Sequence, residues 1–264
     1  MAFLWEVNGM PTPEIVNRPL ISITNVIWSF DPVTHQLLVL LLQRDSAPFE
    51  ATWGLPTTYL RPDESADAAA LRLVREKLGV TLSSFHTEQL ATFTNPKRGL
   101  GERELALTYM VYLPVKPDLV AGYGAKAVQW FAVTPAGDHD DLVAADLHFQ
   151  VLPDKVSEPT YYENQARFVT PKGLTADHTL ILRTALQRVR NRLDYAPTIL
   201  LVCGHQFTLK QAREIYAILL RKPLQSIDNS NFRKTHGHLF EEIGTAHQSS
   251  SGRPAKLYRL KNQS

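Results

Sequence analysis

The sequence predicts an α/β chain of the α+β kind that ends in a small unit of two helices and a hairpin, and three observations carry that prediction. "LISITNVIWSF" and "HQLLVLLLQRD" are β-branched and apolar runs of strand length, parted by the Asp31 to Thr34 turn region. Ser65 to Leu78 is rich in alanine and leucine and is followed by Gly79, so it reads as a helix with its stop. "FTLKQAREIYAILL", a second short amphipathic run and a basic terminal stretch with a Ser/Gly tip supply the last unit.

The remaining elements follow in order. "ELALTYMVYL" and "AVQWFAV" add strands to the first sheet. Thr175 to about Leu193 predicts a second long helix. Leu180, Leu182, Ala185, Leu186, Val189 and Leu193 form its apolar stripe, with Arg183, Arg188, Arg190 and Arg192 as polar coverage. Pro197 changes the register in "DYAPTILLVCGHQ" and sets a practical boundary near residues 194–198. The expected division is therefore a first domain at 1–172, a linking helix at 173–197 and a terminal domain at 198–264.

Composition narrows the function classes. The 264 residues are 44% hydrophobic and 20% charged with net charge +2, which permits a sizeable core. No apolar run has the length of a membrane span, and "MAFLWEVNGM" lacks the pattern of a secretory signal. Cys203, the one cysteine, builds neither a disulfide framework nor a multi-thiol zinc site. A cytoplasmic protein with no membrane partner is expected. Charge is uneven: residues 198–264 carry ten Lys/Arg against four Asp/Glu, whereas residues 1–197 carry 18 against 22. A basic end can steer an acidic polymer, and a solvated face would look the same.

"GLPTTYLRPDESADAAALRLVREKLGV", residues 54–80, resembles the signature box of the Nudix hydrolase superfamily. Glu64, Arg72, Val74, Glu76, Gly79 and Val80 match it, and Trp53, Leu55 and Pro56 strengthen the alignment. Thr58 stands at the initial glycine, and Leu73 and Lys77 stand where the motif has glutamates. Three carboxylates at 73, 76 and 77 would lie near one another on a helix and bind Mg²⁺ or Mn²⁺. Leu73 offers no oxygen and Lys77 places a cation where a dication needs an anion, so Glu76 alone is a poor clamp. Glu64 is expected to pair with Arg72 as a structural ion pair. No catalytic residue, metal ligand or cofactor is assigned. Arg44 at the end of the second strand and the "TNPKRGLGERE" loop with Lys97, Arg98 and Arg103 are candidates for an acidic ligand. The expected ligand-binding set is Arg44, Glu76, Lys77, Arg98 and Arg103.

At the carboxyl end, Thr208 and Gln211 form a capping box for a helix whose buried side is Leu209, Ala212, Tyr216 and Leu219. A second helix is expected from near Ser230, with Phe232, His236, Leu239 and Phe240 recurring at near-helical spacing and Asn231, Arg233, Lys234 and His238 at the exposed side or its edges. After Gly244, "TAHQSSSGRPAKLYRL" predicts a hairpin with its tip at Ser249 to Gly252 and a returning strand over Ala255 to Leu260. Two helices and such a wing resemble a winged helix-turn-helix. The expected DNA-facing set is Thr208, Ser230, Asn231, Arg233 and Lys234, with Arg253 and Lys256 contacting phosphates from the wing.

The joined pattern is similar to the Nudix-related transcriptional regulators of NAD metabolism over roughly residues 19–260. "EQLATFT", "LTADHTLILRTALQRVRNRL", "FTLKQAREIY", "NSNFRK" and "GRPAKLYRL" carry the resemblance. It implies a non-hydrolytic Nudix sandwich that senses ADP-ribose or a related metabolite, a winged helix that binds duplex operator DNA, and a homodimeric repressor released by its effector. Asp177 and His178 match an Asp-His segment of that family, with a structural cap or domain contact and ligand chemistry both open. The alternatives are a Nudix hydrolase of nucleoside-diphosphate derivatives with an appended nucleic-acid module, its metal site rebuilt by Glu102 and Glu104, and an interaction module for an acidic protein.

Overall fold

β1 (Leu20–Asp31) is buried along nearly all its length because both of its faces are covered. In this computed structural model, which describes residues 18–47, 49–81, 86–99, 102–119, 124–168, 173–246 and 254–261, Val26, Trp28 and Phe30 join the main core, while Ile23 and Ile27 face the opposite side. β2 (Gln36–Arg44) returns antiparallel with Val39 opposite Trp28. The short β3 (Trp53–Gly54) pairs with β2, and β4 (Thr57–Tyr59) pairs with β1.

α1 (Ala66–Leu78) packs on β1 through Ala69, Ala70 and Val74, and the Asn25 side chain donates to the Ala70 carbonyl at 2.9 Å. Ser65 caps its start by accepting from the Ala68 N–H. Gly79 ends it at φ +67, a left-handed conformation in which its N–H reaches the Arg75 carbonyl. β5 (Thr87–Phe93), β6 (Glu104–Leu113), β7 (Ala125–Ala136), β8 (His139–Ala144) and β9 (Leu147–Gln150) complete the sheet in the order β5-β6-β1-β2-β7-β8-β9. β6 runs parallel to β1, and the other neighbours are antiparallel.

Two short helices, α2 (Glu158–Glu163) and α3 (Gln165–Phe168), precede α4 (His178–Arg192), which covers the second face of the sheet. α4 starts three residues later than the periodicity predicts. Thr175 is held in a turn, with its N–H donating to the Trp53 carbonyl at 2.7 Å, so it does not enter the helix. The apolar stripe from Leu180 to Leu193 is buried as expected. The arginines are a correction: Arg183 is buried, and Arg188, Arg190 and Arg192 are only partly exposed because they reach Leu90, Asp140 and Glu88 on neighbouring elements.

After a 3-10 segment over Thr198–Cys203, β10 (Phe207–Thr208), α5 (Leu209–Leu219), α6 (Asn229–His236), β11 (Phe240–Thr245) and β12 (Lys256–Leu260) build the terminal unit. Its sheet has the order β10-β12-β11. The capping box of Thr208 and Gln211 is formed. α6 stops sooner than predicted: Leu239 lies in a 3-10 turn and Phe240 opens β11, so the apolar recurrence beyond His236 is not helical. The hairpin correspondingly begins before Gly244, and its expected tip and Arg253 lie outside the described residues.

One apolar cluster runs from β1 and β2 through α4 to Phe207, Tyr216, Phe232, Phe240 and Tyr258. The terminal unit is thus seated on the first sheet and on α4, where Tyr216 Oη donates to the Leu193 carbonyl. Among the described residues no helix is long and apolar enough to cross a membrane.

Candidate functional site

The end of β2, the β3–β4 segment, α1 and the turn entering α4 enclose a cavity of about 750 Å³. A Cβ at Gly54 would stand 2.6 Å from His178 Nδ1 and 2.8 Å from Thr175 Oγ1, so β3 can lie on the α4 entrance only because residue 54 has no side chain. The neighbouring Leu55 N–H donates to His178 Nδ1 at 2.9 Å. That bond requires a neutral ring protonated on Nε2, and burial, aided by the charges of Arg98 and Arg44, pushes the His178 pKa down to about 3.

A buried ion network stands beside it. Arg98 donates from Nε and Nη2 to Asp177 at 3.2 Å each and from Nη1 to Glu104 at 2.9 Å, while Tyr162 Oη donates to Asp177 at 2.6 Å. Asp177 occupies the cap position of α4, yet its carboxylate makes no cap bond. Between the two readings left open by its sequence, a domain contact describes its partners. Burial raises the Asp177 pKa, opposed by the adjacent guanidinium.

The third wall is α1. Arg72 donates to both oxygens of Glu64 at 2.8 and 2.6 Å, the ion pair expected from the sequence, and this pairing holds Glu64 down at about 2. Arg72 Nη1 also donates to Glu76 at 3.0 Å, and Arg61 Nη2 takes the other Glu76 oxygen at 3.1 Å. Residues 73, 76 and 77 lie near one another on α1 as expected, but Leu73 is fully buried and does not line the cavity, whereas Arg72, Glu76 and Lys77 do.

A Nudix fold implies a divalent cation here, and the donor set does not fit one. Position 73 gives no oxygen, Lys77 is a cation, and both Glu76 oxygens are taken by arginines. Glu102 and Glu104 line the same cavity, but Glu104 Oε1 already accepts from Ser22 and Arg98. Among the described residues no group of three or more His, Cys, Asp or Glu is placed to hold a metal.

Of the ligand set expected from sequence, Arg44, Glu76, Lys77 and Arg98 line the cavity. Arg98 does so as a buried side chain that donates from Nε, Nη1 and Nη2 to Asp177 and Glu104. Arg103 is outside the lining, with its guanidinium on the Thr94 carbonyl, and Lys97 is exposed and also outside. Arg61, Tyr59 and Phe49 are lining residues that the sequence did not single out as ligand contacts, and His178, for which ligand chemistry was left open, lines the cavity as well. Tyr59 is 56% exposed, and the Arg44 guanidinium stands 6.0 Å from the Phe49 ring centroid, so flat apolar surfaces accompany the cations. Phe93 and Trp53 are core groups.

The second candidate surface is α6. Phe232 anchors it, 2% exposed, against Tyr216 and His236, and the helix thereby turns Ser230, Asn231, Arg233 and Lys234 outward. Asp228 caps its start by accepting from the Asn231 N–H. His236 Nε2 meets Asp194 at 3.0 Å, which ties α6 to the end of α4. Thr208 stands apart from this face: its hydroxyl is committed to the α5 cap. Lys256 pairs with Glu242 at 2.8 Å and Arg259 with Glu241 at 2.8 Å, so the described part of the wing balances its own charge.

Comparison with known proteins places both halves. The NUDIX domain model matches residues 23–153, and the NrtR DNA-binding winged helix domain model matches residues 200–260. The crystal structure of a MutT/nudix family protein from Enterococcus faecalis is 31% identical with TM-score 0.80, and the match covers 96% of this chain and 89% of that one. Shewanella oneidensis NrtR shares the fold at 24% identity and TM-score 0.64, over 92% of this chain and 94% of that one. The ADPR responsive transcriptional repressor NtrR of Acinetobacter baylyi is 25% identical over 98% of this chain and 87% of its own length. The chain belongs to the MutT/Nudix family, and its NUDIX domain is followed by a region that matches the NrtR DNA-binding winged helix domain.

Proposed function

We propose that this chain is a metabolite-responsive transcriptional repressor of NAD metabolism that binds operator DNA through its winged helix and senses ADP-ribose, or a close relative, in the Nudix cavity. The observation that carries the reading is the place of α4. Its entrance lines the cavity through Thr175, Ala176 and His178, and its far end, through Leu193 and Asp194, holds Tyr216 of α5 and His236 of α6. A ligand that favours one setting of that helix also favours one setting of the DNA-facing surface. The name of the Acinetobacter baylyi relative, and the capture of Shewanella oneidensis NrtR with a 27mer DNA, support the ligand and the partner.

In this reading residues 1–172 sense the metabolite, 173–197 link, and 198–264 bind DNA, in the cytoplasm and without hydrolysis of the effector. A homodimer is part of the proposal, because one α6 presents a short footprint and two copies span two half-sites. The test is selection of genomic DNA by the purified chain at fixed salt, repeated with ADP-ribose. A cognate operator that dissociates when ADP-ribose is added is the expected outcome. No sequence preference, or an operator indifferent to ADP-ribose, defeats the reading. Analytical ultracentrifugation should give a dimer, and a monomer with full operator affinity would refute that part.

A further inference from the structure

The cavity has exchanged the charges of a metal site for charges of its own. Relative to the Nudix pattern, Leu73 and Lys77 remove two anions and add one cation, a swing of three charges where a divalent ion would bring two. The geometry keeps that positive charge at the wall. Lys77 lines the cavity with its Nζ close to the Gly124 backbone, where a Cβ would stand only 3.3 Å away and where φ is +80. Arg44 lines it from the end of β2 and, among the described residues, has no carboxylate within ion-pair distance. Arg61 is 56% exposed in its side chain and spends Nη2 on Glu76, leaving further donors on its fork.

The other two lining arginines are already used. Arg72 is consumed by Glu64, Glu76, Thr58 and the Tyr59 carbonyl, and buried Arg98 is held by Asp177 on one side and Glu104 on the other. They shape the wall. Glu76 holds Arg61 and Arg72 together, one carboxylate oxygen on each.

We infer that Lys77, Arg44 and Arg61 hold the diphosphate of the effector directly, with no divalent cation between protein and ligand. This rests on the effector reading above, and it reassigns the charge-bearing contacts within that site. Desolvation lowers the Lys77 pKa, with Asp45 and Glu76 opposing it, so an incoming polyanion favours the ammonium form that binds it. Cations fixed to the chain cannot be chelated away, which separates this site from a metal-bridged one.

Calorimetry of the full chain with ADP-ribose, and separately with inorganic pyrophosphate, in EDTA and in Mg²⁺ tests the inference. The affinity for ADP-ribose should agree within about twofold between the two conditions, while Lys77→Gln should weaken it roughly tenfold, as loss of a charge-assisted contact does. The double change Leu73→Glu with Lys77→Glu should weaken binding in EDTA more and make it recover with Mg²⁺. Because a glutamate at the buried position 73 can disturb the fold, Lys77→Glu alone, checked by its melting curve, provides the same comparison. Wild-type binding that vanishes in EDTA and returns with Mg²⁺ overturns the inference. Pyrophosphate binding in EDTA without any ADP-ribose binding supports the cation site while sinking the effector reading, and silence from both ligands in EDTA overturns the inference.

Discussion

Arg221, just after α5, and Asp140, on β8, clasp the winged-helix unit to the Nudix sheet. Nε and Nη2 of Arg221 donate to the Asp140 carboxylate at 3.2 and 2.8 Å, and Arg190 of α4 shares the same buried group. Asp154 accepts from both arginines as well, at 2.6 Å from Arg221 and 3.5 Å from Arg190. Asp140→Asn leaves two guanidinium groups facing a neutral amide, so unfolding free energy should fall by roughly 2–4 kcal/mol, less than a fully buried pair would lose because Asp154 remains. Urea denaturation measures the loss, and an unchanged midpoint would show that the clasp carries no stability.

The outward face of α6 gives the second prediction. Arg233 and Lys234 are exposed and Phe232 carries the packing. Replacing both with Ala should therefore leave the melting temperature nearly unchanged and weaken operator binding by at least about tenfold, with a smaller slope of log affinity against log salt. Fluorescence anisotropy at several salt concentrations reads both quantities. Operator affinity equal to wild type at matched salt would place the interface elsewhere.

His178 predicts an acid sensitivity of the cavity wall. Its folded pKa, about 3, lies below the unfolded value of about 6.5, so the unfolded chain binds more protons in between. Stability contributed by this residue is full above the unfolded value, declines as pH falls through that window, and levels off below about 3. Near pH 5 the decline should amount to roughly 2 kcal/mol. His178→Gln should lose stability at neutral pH and show a flatter profile between pH 6.5 and 5. An identical slope in wild type and variant would remove His178 as its source.

Gly54→Ala tests how closely β3 rests on the α4 entrance. The new Cβ would meet His178 Nδ1 and Thr175 Oγ1 well inside contact distance. Displacing them should cost roughly 1–3 kcal/mol and weaken ADP-ribose binding, since the same two residues line the cavity. Denaturation and calorimetry on one preparation would establish whether both losses occur together.

By itself the sequence determined the elements and the altered box. Strand runs, the alanine-rich helix ended by Gly79, the Thr208 capping box and the pair of Glu64 with Arg72 depend on residues within about one or two helical turns of each other, where periodicity and spacing are legible. Tertiary structure decided which charges are spent and which face a ligand. Arg98 and Asp177 are 79 positions apart, and Asp140 and Arg221 are 81 apart. No local pattern marks such pairs. Arg98 and Arg103 look alike in one basic loop, yet one is buried on Asp177 while the other rests on a carbonyl outside the cavity. Likewise the helical offset of Leu73 from Glu76 and Lys77 places the three near each other, but only packing of α1 against the sheet turns residue 73 into the core and leaves 76 and 77 on the cavity wall. Burial imposes that choice, because an apolar side chain is stabilised out of water and a charged one is held where a partner or solvent can meet it.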